Sequence, residues 1–232
     1  MKVRLLEITQ NPISVIYCAA RQCYSNLNMT DVYPLEEDTE EHKLKLINHV
    51  LNSGHHSVLE HVNLTFAISG ISRNTSHQIV RNRIASFSEK SQRYCNVKDS
   101  NFVIPPEIQK NEELNNKLIE MVNKNKEFYN YLVSNNIKEE DARFILPSCI
   151  ETALVVTYNV RELIHIFSDR LCSLAQWEFR NVANEMLKIC KKEIPAIFEK
   201  IGPKCEQLGY CPESKKRSCG RKKTRVEIFI DE

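Results

Sequence analysis

RNRIASFSEKSQRY, running from Arg81 to Tyr94, sets three arginines and a lysine among apolar residues that want the interior. Just upstream, Ser72 reads as the cap of a helix that continues through Arg81 to about Ala85. In that helix Arg73, His77 and Arg81 fall at i, i+4 and i+8 and share one face, while Arg83 points almost the opposite way. Arg93 adds another cation, and the only acid across the stretch is Glu89. A guanidinium is a planar fork that matches a phosphate with two parallel hydrogen bonds. Without local acidic partners, this spacing points to a site for two anionic ligands.

Working outward, the elements mix strands and helices. Residues 2–8 read as a short strand. Asn11-Pro12 looks like an N-cap followed by proline at the first helical position, with the helix running to about Tyr24. Asp38 or Thr39 would cap a helix with an apolar stripe of Leu44, Ile47, Val50 and Leu51, ending at Gly54. VNLTFAIS from Val62 alternates like a half-buried strand. Residues 86–104 read as loop or strand. After Pro105-Pro106 a long helix should bury Leu114, Leu118, Met121, Phe128 and Leu132. A strand over 150–158 and helices at about 161–173 and 175–199 complete an α+β fold. With five glycines and no Gly-rich turn after a strand, a dinucleotide fingerprint and a phosphate loop are both excluded.

The chain has 232 residues, 42% of them hydrophobic and 27% charged, enough for a packed core. The net charge of +2 does not argue for nucleic acid. From Lys204 to Arg225, however, eight Lys/Arg face two Glu, which reads as a solvated basic tail. Two regions are therefore expected, a domain over 1–203 and a basic, Cys-containing tail over 204–232. Nine scattered cysteines, no signal peptide at MKVRLLEITQ and no span of membrane length give a cytoplasmic protein with reduced thiols. Cys205, Cys211 and Cys219 match no zinc spacing, and in GHHSVLEH (54–61) His56 and His61 sit at i and i+5, so no metal is expected. In NVRELIHIFSDR (159–170), Arg161 and His165 share a face and Glu162 should point to solvent. Cys149, Cys172 and Cys190 read as buried inert thiols.

Together these stretches resemble the flavin-dependent thymidylate synthases. The family motif, Arg-His-Arg-x-x-Ser followed by Glu-x-Ser-x-Arg-Tyr, appears as Arg81, Asn82, Arg83, Ser86, Glu89, Ser91, Arg93 and Tyr94. HHSVLEH, ISRNTSHQIV, ARFILP, NVRELIHIF and AQWEFR follow the family in the same order, so the resemblance covers most of residues 1–200. It implies the thymidylate-synthase-complementing fold, a central mostly antiparallel sheet packed with helices, assembled as a homotetramer with shared active sites. It implies reductive methylation of dUMP to dTMP, with methylenetetrahydrofolate as one-carbon donor and FAD, reduced by NADPH, as hydride source.

The resemblance also assigns residues. Ser57, Arg81, Asn82, Arg83, Glu89, Asn159, Val160, Arg161 and His165 would bind FAD. Gln78, Ile79, Val80, Arg81, Glu89, Lys90, Ser91, Gln92, Arg93, Arg143 and Arg170 would bind dUMP. Arg170 would be catalytic, lying against the uracil and favouring loss of its N3 proton. Two positions depart from the motif: its histidine is Asn82, which cannot carry charge, and Ser88 stands where Asn is common. Asn82 leaves open a catalytically impaired FAD- or nucleotide-binding homologue, and the basic segments leave open an RNA-binding module.

Overall fold

The computed structural model describes residues 1–26, 28–33, 38–98 and 100–229. In chain order the elements are β1 (Lys2–Ile8), α1 (Pro12–Tyr24), α2 (Met29–Val32), α3 (Glu40–Asn52), a 3-10 turn (His56–His61), β2 (Asn63–Ser72), α4 (Arg73–Ile79) and β3 (Ala85–Glu89). Then come α5 (Pro106–Gln109), α6 (Glu112–Ser134), α7 (Glu139–Ala142), a second 3-10 turn (Arg143–Ile145), β4 (Glu151–Asn159), α8 (Val160–Arg170), α9 (Trp177–Glu193), α10 (Pro195–Phe198), α11 (Lys204–Leu208) and α12 (Arg225–Phe229). The strands form one four-stranded sheet in the order β1-β2-β4-β3, and the class is α+β as expected. Among the described residues, no helix is long and apolar enough to cross a membrane.

The chain divides into two compact units. The first comprises 1–2, 67–81 and 87–156, the second 3–66, 82–86 and 157–232. In the first unit, β4 alternates strictly, with Thr152, Leu154 and Val156 buried. The alternation of β2 slips between the buried Ile68 and Ile71. Gly70 lies between them at a φ of 69°, the left-handed backbone a bulge can use, and a Cβ there would sit 3.0 Å from the Met1 nitrogen. A separate cluster of Val97, Tyr129 and Ala142 is covered by Leu132, Val133, Ile145 and Leu146.

In the second unit, β2 and β4 pair antiparallel: the Val160 N–H donates to the Val62 carbonyl at 2.9 Å and the Thr65 and Thr157 hydroxyls meet at 2.9 Å. Phe66 and Tyr17 lie in this unit's core, and the Phe167 and Phe198 rings meet edge-on with centroids 6.0 Å apart. Full burial of a side chain such as Phe66 contributes about 1.5–3 kcal/mol. α1 packs on α3, and α8 packs on both α9 and the first 3-10 turn. Thr39 caps α3 by accepting from the His42 N–H, and Ser72 caps α4 by accepting from the Thr75 N–H.

Several expectations fail locally. α4 stops at Ile79 rather than near Ala85, because the next segment alternates as a strand and pairs with β4. Arg81 therefore lies outside the helix, and the shared face of Arg73, His77 and Arg81 does not exist. On α6 the buried residues are Val122 and Tyr129, whereas Leu114, Met121 and Phe128 are half or more exposed. The helix carries apolar residues at two adjacent phases, and the packed phase is one position (~100°) on from the expected one. Asn11 has a left-handed φ of 49° and makes no side-chain cap. Glu162 is buried rather than solvated, Cys149 and Cys172 are only half-buried, and the tail buries Cys205, Cys211 and Thr224.

Candidate active site

The second unit gathers one set of the expected residues. Asn159 caps α8, its Oδ1 accepting from the Glu162 N–H at 2.8 Å. Val160 is fully buried, so only its backbone could meet a ligand. Arg161 and His165 follow on the exposed face, and Arg161 Nη1 pairs with Glu60 Oε1 at 2.5 Å. Glu60 belongs to the 3-10 turn that also exposes Ser57. Both partners of this pair are about half exposed, so its net strength is small and an incoming anion could displace it. Asn82 hydrogen-bonds Tyr158, one residue before Asn159. Burial pushes the Tyr158 hydroxyl well above its ordinary pKa. Arg83 is exposed and makes no ion pair among the described residues.

Arg170 stands at the C-terminal end of α8. Its guanidinium lies 5.1 Å from the centre of the Phe179 ring, and its Nε is buried with no hydrogen-bond partner among the described residues. An orphaned buried donor asks for an acceptor that the described residues do not supply. Glu162 sits on the same helix with its carboxyl pKa raised by burial, an effect that His165 opposes.

The first unit gathers the other set. Glu89 Oε1 accepts from Arg73 Nη1 at 3.0 Å and from the Thr152 hydroxyl at 3.0 Å. Both bonds fall on Oε1, and Oε2 has no hydrogen bond among the described residues. Lys90 donates its N–H to Ala153, and the Ser91 hydroxyl accepts from the Arg93 N–H at 3.1 Å. Arg93 Nε pairs with Glu140 Oε2 at 2.6 Å, and Arg143 Nε donates to the Glu140 carbonyl at 3.0 Å, so Glu140 joins the two arginines. The Arg93 guanidinium also lies over the exposed Tyr94 ring. Gln78 and Val80 are half-buried at the end of α4, Gln92 is half-buried, and Ile79 is buried. Arg81 is exposed in the turn after α4, without an ion pair among the described residues.

The expectation that the arginines of 73–93 lack acids is thus corrected for Arg73 and Arg93, and Arg161, outside that stretch, has an acid as well. Arg73, Arg93 and Arg161 have Glu89, Glu140 and Glu60. Glu140 lies 47 positions from Arg93 and Glu60 lies 101 from Arg161, beyond the reach of any local reading. Arg73 and Glu89 are both in the quoted neighbourhood, but their pairing depends on α4 ending early. Thr152 and Tyr158 carried no signal beyond membership of the strand expected at 150–158. Among the described residues, no group of three or more His, Cys, Asp or Glu is arranged to hold a metal ion. Burial raises the Cys149 thiol, which disfavours it as a nucleophile.

The profile of the family described as thymidylate synthase complementing protein matches residues 4–196. The chain is similar to the flavin-dependent thymidylate synthase of Nitratidesulfovibrio vulgaris, 41% identical over 95% of this chain and 94% of the relative. It is 38% identical to that of Clostridium tetani over 99% and 97%, and 43% identical to that of Thermococcus onnurineus over 92% and 89%.

Proposed function

Because the chain belongs to the thymidylate synthase complementing protein family, we propose that it methylates dUMP reductively to dTMP. Methylenetetrahydrofolate gives the one-carbon unit. The observation that carries this reading is identity of about two residues in five with flavin-dependent thymidylate synthases across nearly the whole of both chains.

The side chains fit the two ligands. Arg81 and Arg83 are exposed cations with no ion pair among the described residues, and each can take a phosphate through its fork. Ser57, Arg81, Asn82, Arg83, Glu89, Asn159, Val160, Arg161 and His165 hold FAD, the last two on the exposed face of α8. Bound FAD, once reduced by NADPH, supplies the hydride. Gln78, Ile79, Val80, Arg81, Glu89, Lys90, Ser91, Gln92, Arg93, Arg143 and Arg170 hold dUMP, with Glu89 offering Oε2 as an acceptor.

Arg170 supplies the electrostatics. A guanidinium whose Nε lacks a partner donates to the uracil edge and favours its N3-deprotonated form. The anionic ring has a more nucleophilic C5, which attacks the one-carbon carrier without an enzyme thiol. Ser91 binds substrate rather than attacking it, since its hydroxyl accepts from the Arg93 N–H and no base is bonded to it among the described residues. The protein works in the cytoplasm as a homotetramer with shared active sites. Residues 1–203 form the synthase domain and 204–232 its basic tail. An RNA-binding role is less well supported, because Arg73, Arg93 and Arg161 already have acidic partners.

The test is direct. Purified protein should be yellow and should release tritium from 5-tritiated dUMP when given methylenetetrahydrofolate and NADPH. A protein that stays colourless after FAD is added, and releases no tritium, sinks the proposal.

A further inference from the structure

Within the second unit, α11 of the tail packs on α8 and Cys211 bridges to Thr224. This encloses a cavity of about 250 Å³ lined by Cys172, Cys205, Cys211, Cys219 and Arg170. Four of the nine cysteines thus share one small space, and none is in a disulfide. Nothing in the thymidylate reaction needs them. We propose that this cavity is a thiol–disulfide exchange site for small anionic disulfides, in which Cys219 is the attacking thiol and Cys172 the resolving one.

Exposure singles out Cys219. Only Cys23 and Cys219 are exposed, and Cys23 lines a different, mostly apolar cavity. Cys219 instead sits among Lys204, Arg217, Arg221 and Lys222, with Asp169 and Glu213 as the cavity's acids. Hydrogen bonds from Ser173 and from the Arg221 backbone, helped by the Arg221 charge, hold its thiol below the ordinary pKa. That favours the thiolate, the form that attacks disulfides. Gly220, at a φ of 80°, follows directly and gives the loop a turn that a side chain would resist. The basic rim selects for negative charge on the incoming disulfide.

Cys172 is assigned as the resolving thiol because it is the half-buried cysteine of the same cavity and stands next to Ser173. Ser173 touches Cys219, and Cys172 is its chain neighbour. Cys205 and Cys211 are more than nine-tenths buried, with less freedom to reorient. The exchange balances in two steps. The Cys219 thiolate attacks RSSR, its S–S bond breaks, RS⁻ leaves and takes a proton, and Cys219–SR remains. Cys172, losing its proton, attacks the Cys219 sulfur and expels a second RS⁻. Two protein thiols are oxidised to a disulfide and one RSSR is reduced to two RSH. The product ties the tail to the turn that follows Arg170.

The test uses the intact reduced protein, oxidised glutathione as probe, acid quenching and peptide mass spectrometry. The glutathionyl adduct should appear on Cys219 before Cys23, then give way to a Cys172–Cys219 cross-link. Cys172→Ser should trap the adduct, and Cys219→Ser should abolish both. Cystamine, a dicationic disulfide, should react at least tenfold more slowly at low salt, with the gap closing as salt rises. First modification at Cys23, a lasting wild-type adduct, or a cross-link through Cys205 or Cys211 overturns the assignment. So does stoichiometric zinc that protects the thiols until it is chelated. The wild-type order of modification decides the matter even if a serine variant fails to fold, and none of these readouts depends on thymidylate synthesis.

Discussion

The bond between Arg73 and Glu89 carries a quantitative prediction. Its Nη1–Oε1 distance is 3.0 Å, and the two side chains are only 22% and 18% exposed. At an effective dielectric of about 20, the gross attraction at that distance is about 5 kcal/mol. Desolvation and lost side-chain freedom cancel much of it, and hydrogen bonds to charged groups net about 1.5–3 kcal/mol. The expected coupling is therefore about 2 kcal/mol. Urea unfolding of the wild type, Arg73→Met, Glu89→Gln and the double variant measures it as a cycle. Each single change should cost about 2 kcal/mol, and the double little more than either. The single variants should melt about 4–8 °C lower. A coupling within about 0.5 kcal/mol of zero, the scatter of independent sites, refutes the reasoning that this half-buried pair stabilises the fold.

Other outcomes follow from the same geometry. Asn159→Ala removes the α8 cap and should cost about 1 kcal/mol, a loss of about 2–4 °C in melting temperature. Asn159→Asp should restore stability by thermal denaturation, which separates capping from any contact with FAD. Glu162→Gln should raise the melting temperature at neutral pH. Burial raises the folded-state pKa of this carboxyl, so its stabilising contribution is present below the unfolded value of about 4 and is lost as pH rises through the folded one. The advantage of the glutamine should therefore vanish in melts near pH 4. Asn82→His replaces the partner of Tyr158 with the motif residue. If Asn82 limits turnover, tritium release should rise, whereas an unchanged rate together with a lower melting temperature would assign Asn82 to anchoring the start of β3.

What the sequence disclosed depended on the range of the interaction. The Ser72 cap, the α3 cap at Asp38 or Thr39 (Thr39 in the structure), the strand at 2–8 and the β-rich strand at 150–158 were legible because each is written within a few residues. The end of α4 was not, because SRNTSHQIV is a sound helix start and only pairing of Ala85–Glu89 in the sheet stops it. The buried face of α6 was missed for a related reason. Met121 and Val122, like Phe128 and Tyr129, offer two apolar phases, and the cluster with Val97 and Ala142 selects the second. Glu162 was expected at the surface because it stands two residues from Ile164, and nothing nearby announced that its face of α8 is packed.

The arginines show most clearly why residue type alone could not define the site. The spacing of the arginines over 73–93, with no acid but Glu89 nearby, suggested a site for two anions from outside. Folding divides them into two classes. Arg73 and Arg93 are met by carboxylates, one from a strand in the same stretch and one from a helix 47 residues away. Arg81 and Arg83 remain exposed without ion pairs among the described residues, although they flank Asn82 at the start of the motif. A cation with an internal carboxylate must exchange one partner for another when a phosphate arrives, so the net gain is small. A cation without one gains the whole interaction, less only its hydration. Most of the phosphate-binding energy in this stretch should therefore come from Arg81 and Arg83, while Arg73 keeps the Glu89 carboxylate in position.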